Sequence, residues 1–271
     1  MRQKTLLLIG CGEMGGNLLK GWVTASSSFS FHVITPHQTS VTKIAPHIPW
    51  FPTPEAYQAA GLCPDMMLFA VRPQLFQQIA PAYRTLIEKH NPIVGSIIAG
   101  LATKALQETL PEIHTCFRAM PNLPVATHEG VVGLMGQHLS DSNRTLIETL
   151  FKALGLVVWI KDESCFNDFT ALSGCGPGIV YAFFSALLEA AKTLNTGIED
   201  AEAVVKQLLQ GSAAYVASHE QPFETLAAQV AVPGGMTEQA IHTLQHNHAL
   251  TTLLSGTLAA ASHHGEKLGK K

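Results

Sequence analysis

Three glycines near the start of the chain have the spacing of a phosphate-binding turn. An apolar run at 5–9 (TLLLI) leads directly into GCGEMG, which contains Gly10, Gly12 and Gly15. The first glycine permits a tight turn, the second lets backbone N–H groups approach phosphate oxygens, and the third lets a helix pack on a strand. The helical spacing at 17–23 supplies a helix whose positive end would face the phosphates. This segment predicts binding of a dinucleotide pyrophosphate.

Two further glycine-rich segments lie in the second half of the chain. They are TALSGCGPG at 170–178 and VPGGMT at 232–237. Each directly precedes a predicted helix, where unpaired N–H groups can hold a carboxylate or phosphate. Simple turns between helices are the alternative. We favour binding because both segments are rich in Ser, Thr and Gly within a mostly apolar region.

The elements that would position these segments change in type along the chain. Residues up to about 160 alternate strand and helix patterns, which predicts an α/β fold with a parallel sheet covered by helices. No convincing strand follows, so the sequence predicts two domains, 1–161 and 162–271. The predicted strands are 5–9, 31–35, 65–71, 93–99, 114–119, 130–135 and 156–160, and the predicted helices include 75–89, 104–110, 141–154, 177–194, 198–217, 221–226, 237–246 and 249–264.

The composition of the chain indicates which kinds of molecule it binds. The chain is 46% hydrophobic and 14% charged, and the predicted helix at 177–194 is apolar on nearly every face, which predicts burial inside a domain or between subunits. A net charge of −3 gives no reason to expect nucleic acid or an anionic membrane. No run of consecutive apolar residues approaches the ~18 of a membrane span. We therefore expect a homo-oligomer that binds a small molecule.

The cysteines and the first residues predict a cytoplasmic protein. Five cysteines form no C-x-x-C pair, which is typical of reduced thiols. The apolar run at 5–9 is shorter than the ~7–15 residues of a secretory signal, so we do not interpret it as one.

The chain resembles the pyrroline-5-carboxylate reductase family over nearly its whole length. The matching segments are GCGEMGG at 10–16, FAVRPQ at 69–74, IIAG at 97–100, FRAMPNLP at 117–124, TALSGCGPG at 170–178 and VPGGMT at 232–237. The resemblance implies an N-terminal Rossmann-type doubly wound sheet that binds NADP or NAD, and a C-terminal all-helical dimerisation domain. It implies hydride transfer to C5 of a cyclic imine, giving L-proline in the last step of proline biosynthesis.

The resemblance also implies roles for individual residues. Thr237 would be the hydroxyl nearest the imine nitrogen, and backbone N–H groups at 234–237 would receive the substrate carboxylate. The cofactor would contact Gly10, Gly12, Glu13, Met14, Gly15, Ala70, Val71, Arg72, Pro73 and Ala99. The substrate would contact Glu163, Glu220, Gly234, Gly235, Met236 and Thr237, with Thr170 and Ser173 as further catalytic candidates.

The reaction itself sets modest demands on the protein. A protonated imine is a better hydride acceptor, so the site needs a hydrogen-bond partner at nitrogen and a clamp on the carboxylate more than a strong base. Thr237 can supply the hydroxyl. No His, Lys or Tyr falls inside the matched substrate segments, so no general acid is identified. A substrate that binds as the protonated iminium would not need one.

The residues after the second predicted strand favour NADP, with NAD possible. An NAD site would place a carboxylate there for the ribose hydroxyls, and 35–39 contains none. Thr35, His37 and Thr39 could instead hydrogen-bond a 2′-phosphate, with Lys43 nearby.

Some residues depart from the family pattern and keep alternatives open. Cys175 and Val232 stand where serine is usual, Gly178 where alanine is usual, and Met236 where threonine or alanine is usual. One alternative is a related imine or β-hydroxyacid oxidoreductase, although the latter needs a lysine in the helix after the glycines and Lys192 comes too late. The other is a catalytically inactive NADP-binding sensor.

Histidines, Arg118 and Asn122 are assigned no chemistry from the sequence. His242 and His246 stand at i,i+4, but no H-E-x-x-H or zinc-type cysteine spacing accompanies them, so we predict no metal. Arg118 and Asn122 flank Met120-Pro121, where orienting the active-site loop and a purely structural role are equally compatible with the sequence.

Overall fold

The first part of the chain forms one eight-stranded sheet. The computed structural model describes residues 3–25 and 28–268. The strand order is β3-β2-β1-β4-β5-β6-β7-β8. The strands are β1 (Lys4–Ile9), β2 (Phe29–Ile34), β3 (Trp50–Phe51), β4 (Met66–Phe69), β5 (Ile93–Ser96), β6 (Cys116–Met120), β7 (Gly130–Gln137) and β8 (Gly155–Trp159). The predicted α/β class is confirmed.

Helices connect the strands and then make up the remainder of the described chain. Among the strands lie α1 (Glu13–Thr24), α2 (Thr39–Thr42), α3 (Pro54–Ala59), α4 (Pro73–Ile79), α5 (Arg84–His90), α6 (Thr103–Thr109) and α7 (Asp141–Lys152). After β8 come α8 (Phe166–Phe169), α9 (Gly176–Lys192), α10 (Ala201–Ala217), α11 (Phe223–Val230), α12 (Met236–Gln245) and α13 (Ala249–Leu268). No strand follows β8 in the part of the chain that the structure describes, as predicted.

The prediction of a parallel sheet is wrong at one pair of strands. β7 runs antiparallel to β6, with Arg118 opposite Met135, while the other pairs are parallel. The connection at 121–129 contains only a 3₁₀ turn, Leu123–Thr127. A parallel crossover needs about a dozen residues or more, so this connection can only return the chain in the opposite direction.

Local chemistry also changed several predicted boundaries. The helix predicted at 75–89 is divided into α4 and α5 by a 3₁₀ turn, Ala80–Tyr83, which contains Pro81. Proline lacks the N–H that a continuous α-helix requires. The strand β2 ends at Ile34, so Thr35 lies just beyond it. The sequence patterns missed β3, α2 and α3, which are all short.

Both faces of the sheet are buried, which explains the continuous apolar run of β1. Leu6 and Leu8 pack in one core with Trp22, and Leu7 and Ile9 pack in another. Alternate side chains of a strand point to opposite faces, so a strand covered on both sides must be apolar throughout. The two cores hold the ends of β1, β2, β4 and β5 in place.

The described residues divide into two compact units. Residues up to Pro177, together with those from Ala261 onward, form one unit, and Gly178–Ala260 form the other. The boundary predicted near Lys161 lies just after the last strand, β8, and not at the division between these two units. That residues 1–161 bind the nucleotide and residues 162–271 bind the substrate stays a prediction.

Much of the apolar surface of the long helix α9 is left uncovered by the other described residues. None of its residues is buried, and Val180, Tyr181 and Phe183 are 41–53% exposed. The helical stretch Glu163–Lys192 contains an 18-residue window with mean hydropathy 1.5, and it is long and apolar enough to cross a membrane by length and composition alone. Counting consecutive apolar residues missed this stretch because isolated polar residues interrupt it. An uncovered apolar helix is also what a subunit interface requires.

Candidate functional site

The glycine turn lies where the strand order reverses. β1 is flanked by β2 on one side and β4 on the other. At their carboxyl ends, the N–H of Gly10 donates to the carbonyl oxygen of Ile34 at 2.8 Å, and the N–H of Ala70 donates to that of Ile9 at 2.7 Å. In open α/β sheets, ligands bind in the crevice at such a reversal. The structure therefore brings the predicted segments at 10–15 and 70–73 to one edge.

Each of the three glycines meets a different steric requirement. Gly10 has φ of +93°, and a Cβ there would lie 2.6 Å from the carbonyl oxygen of Ala70. A Cβ on Gly15 would lie 2.5 Å from the carbonyl oxygen of Gly10. A Cβ on Gly12 would meet nothing within 4 Å. Packing of the turn therefore requires Gly10 and Gly15, whereas Gly12 borders open space.

The start of α1 provides donors to that open space. Gly12 is the N-cap, and no side chain caps the helix. The N–H groups of Glu13, Met14 and Gly15 lie in the first turn, where they have no acceptor within the helix. Open space beside Gly12 and a row of first-turn N–H groups suit a pyrophosphate. The residues present fit a dinucleotide.

The cofactor residues predicted after β4 and β5 lie along the same edge. Arg72 is the N-cap of α4, and Pro73 occupies its first position. Pro73 and Ala99 line one cavity of about 360 Å³, whose walls are mainly apolar. The structure therefore brings together the two segments that the resemblance assigns to the cofactor crevice.

The candidates for phosphate recognition after β2 differ in accessibility. Thr35 is buried, its N–H donates to the carbonyl oxygen of Phe51 at 3.2 Å, and its own carbonyl accepts from Trp50 Nε1 at 2.8 Å. His37 is exposed, as are Thr39 and Lys43. The buried Thr35 thus anchors this loop through its backbone, and the exposed side chains beyond it can reach a ligand.

Glu163 makes contacts that the sequence did not predict. Its Oε1 pairs with Nη1 of Arg118, and its Oε2 accepts from Thr103 Oγ1 at 3.4 Å. The guanidinium of Arg118 also lies 3.5 Å from the ring centre of Phe166. Glu163 is therefore tied to the protein by a buried cation. The sequence offered one signal for this contact, which was the arginine of FRAMPN, Arg118, as a possible partner for a later acidic residue.

Thr170 and Ser173 lie in a single π-helical turn, Thr170–Gly174. The hydroxyl of Thr170 donates to the carbonyl oxygen of Phe166 at 2.7 Å, and that of Ser173 donates to the carbonyl oxygen of Phe169 at 3.0 Å. Both hydroxyl protons are therefore engaged, which leaves the oxygens as acceptors. Single π turns occur frequently at functional sites.

The remaining predicted residues belong to the second compact unit. Glu220 is exposed, and Met236 is 91% exposed at the start of α12. The N–H of Gly234 donates to Glu238 Oε2 at 2.8 Å, and that of Gly235 donates to the carbonyl oxygen of Val232 at 2.9 Å. Two of the four N–H groups assigned to the substrate carboxylate thus have acceptors in this chain. Those of Met236 and Thr237, in the first turn of α12, have none within their helix.

The histidines show no assembled metal site. The rings of His242 and His246 lie 6.1 Å apart on α12 and just beyond it. Within residues 3–25 and 28–268, no group of three or more His, Cys, Asp or Glu side chains is arranged to hold a metal ion.

Comparison with known proteins identifies the family. A family model described as pyrroline-5-carboxylate reductase dimerisation matches residues 163–268. Pyrroline-5-carboxylate reductase 3 of Danio rerio is 31% identical over 207 residues, covering 76% of this chain and 71% of that protein. The pyrroline-5-carboxylate reductase of Vibrio alginolyticus is 28% identical over 275 residues, covering 100% of this chain and 99% of that protein.

The structural comparison agrees over the whole chain. A solved structure of a pyrroline-5-carboxylate reductase from Coxiella burnetii is similar with a TM-score of 0.88 and 27% identity, and the match covers 100% of both chains. The fold of this chain is therefore similar to that structure over its whole length. The chain belongs to the pyrroline-5-carboxylate reductase family.

Proposed function

We propose that this chain reduces L-1-pyrroline-5-carboxylate to L-proline with NAD(P)H, the last step of proline biosynthesis. The observation that carries the proposal is the match over the full length to members of one reductase family, which includes both the nucleotide-binding half and the helical half. The glycine turn supports it independently, because its geometry fits a dinucleotide pyrophosphate.

The protein's part in the reaction is to bind and orient the reactants. When bound, the dinucleotide supplies the hydride that adds to C5 of the imine, and the nitrogen carries the proton. Residues 10–15 hold the pyrophosphate, and Ala70, Val71, Arg72, Pro73 and Ala99 line the crevice. This division agrees with domains 1–161 for the nucleotide and 162–271 for substrate and dimerisation.

We assign substrate binding to the helical half and the residues that lead into it. The N–H groups of Met236 and Thr237 hold the substrate carboxylate, and the hydroxyl of Thr237 contacts the imine nitrogen. Thr170 and Ser173 can only accept hydrogen bonds, since both hydroxyls already donate to backbone carbonyls. An acceptor suits a protonated iminium N–H, so the substrate binds already protonated and needs no general acid. Glu163, Glu220, Gly234 and Gly235 complete the surroundings.

NADP is the favoured form of the cofactor, and NAD is the alternative. The loop after β2 lacks a carboxylate that would bind the ribose hydroxyls and repel a 2′-phosphate. His37 and Thr39 are exposed beyond Thr35, with Lys43 one helical turn further along. These side chains can donate hydrogen bonds to the phosphate.

The chain acts as a homodimer or larger homo-oligomer. Its residues 163–268 match a dimerisation model, and this region contains the uncovered apolar surface of α9. A dimer interface accounts for an apolar helix that the chain itself does not bury. A cytoplasmic location is supported by five cysteines that are all free thiols.

The test is oxidation of NADPH and of NADH by the purified protein with L-1-pyrroline-5-carboxylate. We expect turnover with a clear preference for NADPH. Turnover with NADH alone would keep the reaction and refute the cofactor preference. Cofactor binding without turnover would refute the reaction and favour another imine or β-hydroxyacid substrate, or an inactive sensor in which Val232 and Met236 are the relevant departures.

A further inference from the structure

Arg118 is a buried cation whose contacts are few and specific. It lies on β6 with 5% of its surface exposed. Its Nη1 pairs with Glu163, and the face of Phe166 covers the guanidinium. Among the described residues, its Nε has no hydrogen-bond partner. Burial lowers the pKa of Arg118, and the Glu163 carboxylate opposes that effect. Glu163 is therefore the principal compensation for a charge that remains in place.

Glu163 connects this cation to the loop that follows β5. Its side chain is 40% exposed, so the pair extends from the core to the surface. Its second oxygen accepts from Thr103, the first residue of α6. The loop between β5 and Thr103 contains Ala99, and in the sheet Ser96 of β5 lies beside Arg118 of β6. One carboxylate thus joins β6, the start of α6 and the segment that leads into α8.

The loop is held from the other side by a buried serine. Ser96 is 1% exposed, and its Oγ accepts from the N–H of Ile98 at 3.0 Å. The loop is therefore fixed at its beginning by Ser96 and at its end by Thr103. Ala99 lies between these two anchors and borders the cavity that Pro73 also lines.

We propose that Arg118 and Glu163 are positioning residues whose ion pair holds residues 99–103, and hence the wall of the crevice that Ala99 forms, in the geometry that hydride transfer needs. This inference rests on the proposed function. The glycine turn at 10–15, to which we assign the pyrophosphate, follows β1, and β4 and β5 separate that strand from Arg118 on β6. Loss of the pair should therefore slow hydride transfer while leaving cofactor affinity largely unchanged, because small misplacements of reacting atoms strongly reduce rate.

The principal variant is Glu163→Gln, which keeps the size of the side chain and removes its charge. We expect kcat to fall by at least about tenfold and KM for NADPH to stay within about threefold of the wild type. The primary deuterium isotope effect with NADPH labelled at the transferred position should rise, because hydride transfer becomes rate-limiting. Thr103→Val, which removes only the hydroxyl donor, should change the same quantities in the same direction to a smaller extent.

The control is Glu108→Gln, which removes the carboxylate of an exposed ion pair with Lys104 on the same helix α6. It should leave kcat and the isotope effect unchanged. Thermal unfolding checks that each variant is folded. If Glu163→Gln does not fold, the kcat and isotope effect of Thr103→Val test the positioning role. Arg118→Lys keeps the charge and should retain more kcat than Arg118→Gln.

The outcomes separate the two proposals. If the wild type turns over and kcat is unchanged in both Glu163→Gln and Thr103→Val, the positioning role is overturned and the proposed function stands. A loss of kcat with an unchanged isotope effect would also overturn it. Absence of turnover by the wild type with either cofactor would overturn the proposed function, and the positioning role with it.

Discussion

The side-chain amide nitrogen of Asn122 donates to the carbonyl oxygen of Ser173 over 3.1 Å. The amide oxygen of the same residue accepts from the N–H of Val131 at 2.8 Å. Asn122 is 6% exposed and lies two residues beyond the end of β6. It therefore joins the sheet to the π-helical turn that contains Thr170 and Ser173. Of the two roles open for Asn122 in the sequence, its contacts support orientation of that turn.

Replacing Asn122 with alanine should destabilise the protein. The change leaves the buried carbonyl of Ser173 and the N–H of Val131 without their partner, at about 1–3 kcal/mol for each group. We expect the free energy of unfolding in urea to fall by about 2–4 kcal/mol. Asn195→Ala, at an exposed position, is the control and should change it by less than about 0.5 kcal/mol. Equal stabilities of the two variants would refute the bridging role.

Replacing Gly15 with alanine should lower stability, whereas replacing Gly12 with alanine should leave stability nearly unchanged. In Gly15→Ala the new methyl group meets a backbone oxygen at 2.5 Å, so we expect a loss of about 1–3 kcal/mol in unfolding free energy. In Gly12→Ala the methyl group enters open space at an ordinary φ of −75°, so stability should change by less than about 1 kcal/mol.

The same methyl group on Gly12 should obstruct the pyrophosphate. We expect KM for NADPH to rise by at least tenfold, which corresponds to about 1.4 kcal/mol. Thermal unfolding and steady-state kinetics measure both effects on the same samples. Unchanged cofactor affinity in a folded Gly12→Ala protein would contradict the placement of the pyrophosphate.

Removing the hydroxyl of Thr237 should affect rate more than cofactor binding. We expect Thr237→Ala to lower kcat by at least about tenfold, because the imine nitrogen loses its hydrogen-bond partner, with KM for NADPH within about threefold. Thr243→Ala on the same helix is the control, since its hydroxyl donates only to the backbone carbonyl of Gln239. A wild-type kcat in Thr237→Ala would refute a role in catalysis.

The buried histidine His32 should make stability depend on pH. Burial lowers the pKa of His32, whose Nδ1 contacts the hydroxyl of Tyr57 at 3.1 Å. The unfolded chain binds this proton more readily than the folded one, so the unfolding free energy falls as pH decreases below about 6.5. The decrease ends once pH lies below the folded-state pKa.

The comparison that isolates this effect is wild type against His32→Gln. Urea unfolding from pH 8 to pH 5 should show a smaller decrease in stability for the variant. His47→Gln, at an exposed position, should retain the decrease of the wild type. Parallel curves for wild type and His32→Gln would show that other groups, such as His90, whose pKa burial also lowers, account for the dependence.

Local patterns in the sequence were sufficient for the α/β class, the glycine turn and the helical second half. Apolar runs such as Leu6–Ile9 specify buried strands, and the spacing of Gly10, Gly12 and Gly15 specifies a turn whose steric needs are local. The family resemblance could likewise be read from the sequence, because it rests on short contiguous segments. The predicted site residues in the substrate half stay predictions.

Other features depended on contacts between residues far apart in the chain. The antiparallel direction of β7 depends on the length and path of one connection, which hydrophobic periodicity does not report. The pairing of Arg118 with Glu163, and of Asn122 with Ser173, joins residues 45 and 51 positions apart. Sequence analysis identifies residues able to form such contacts, but only the folded chain brings particular partners within hydrogen-bonding distance, because packing of the sheet and helices determines which side chains meet.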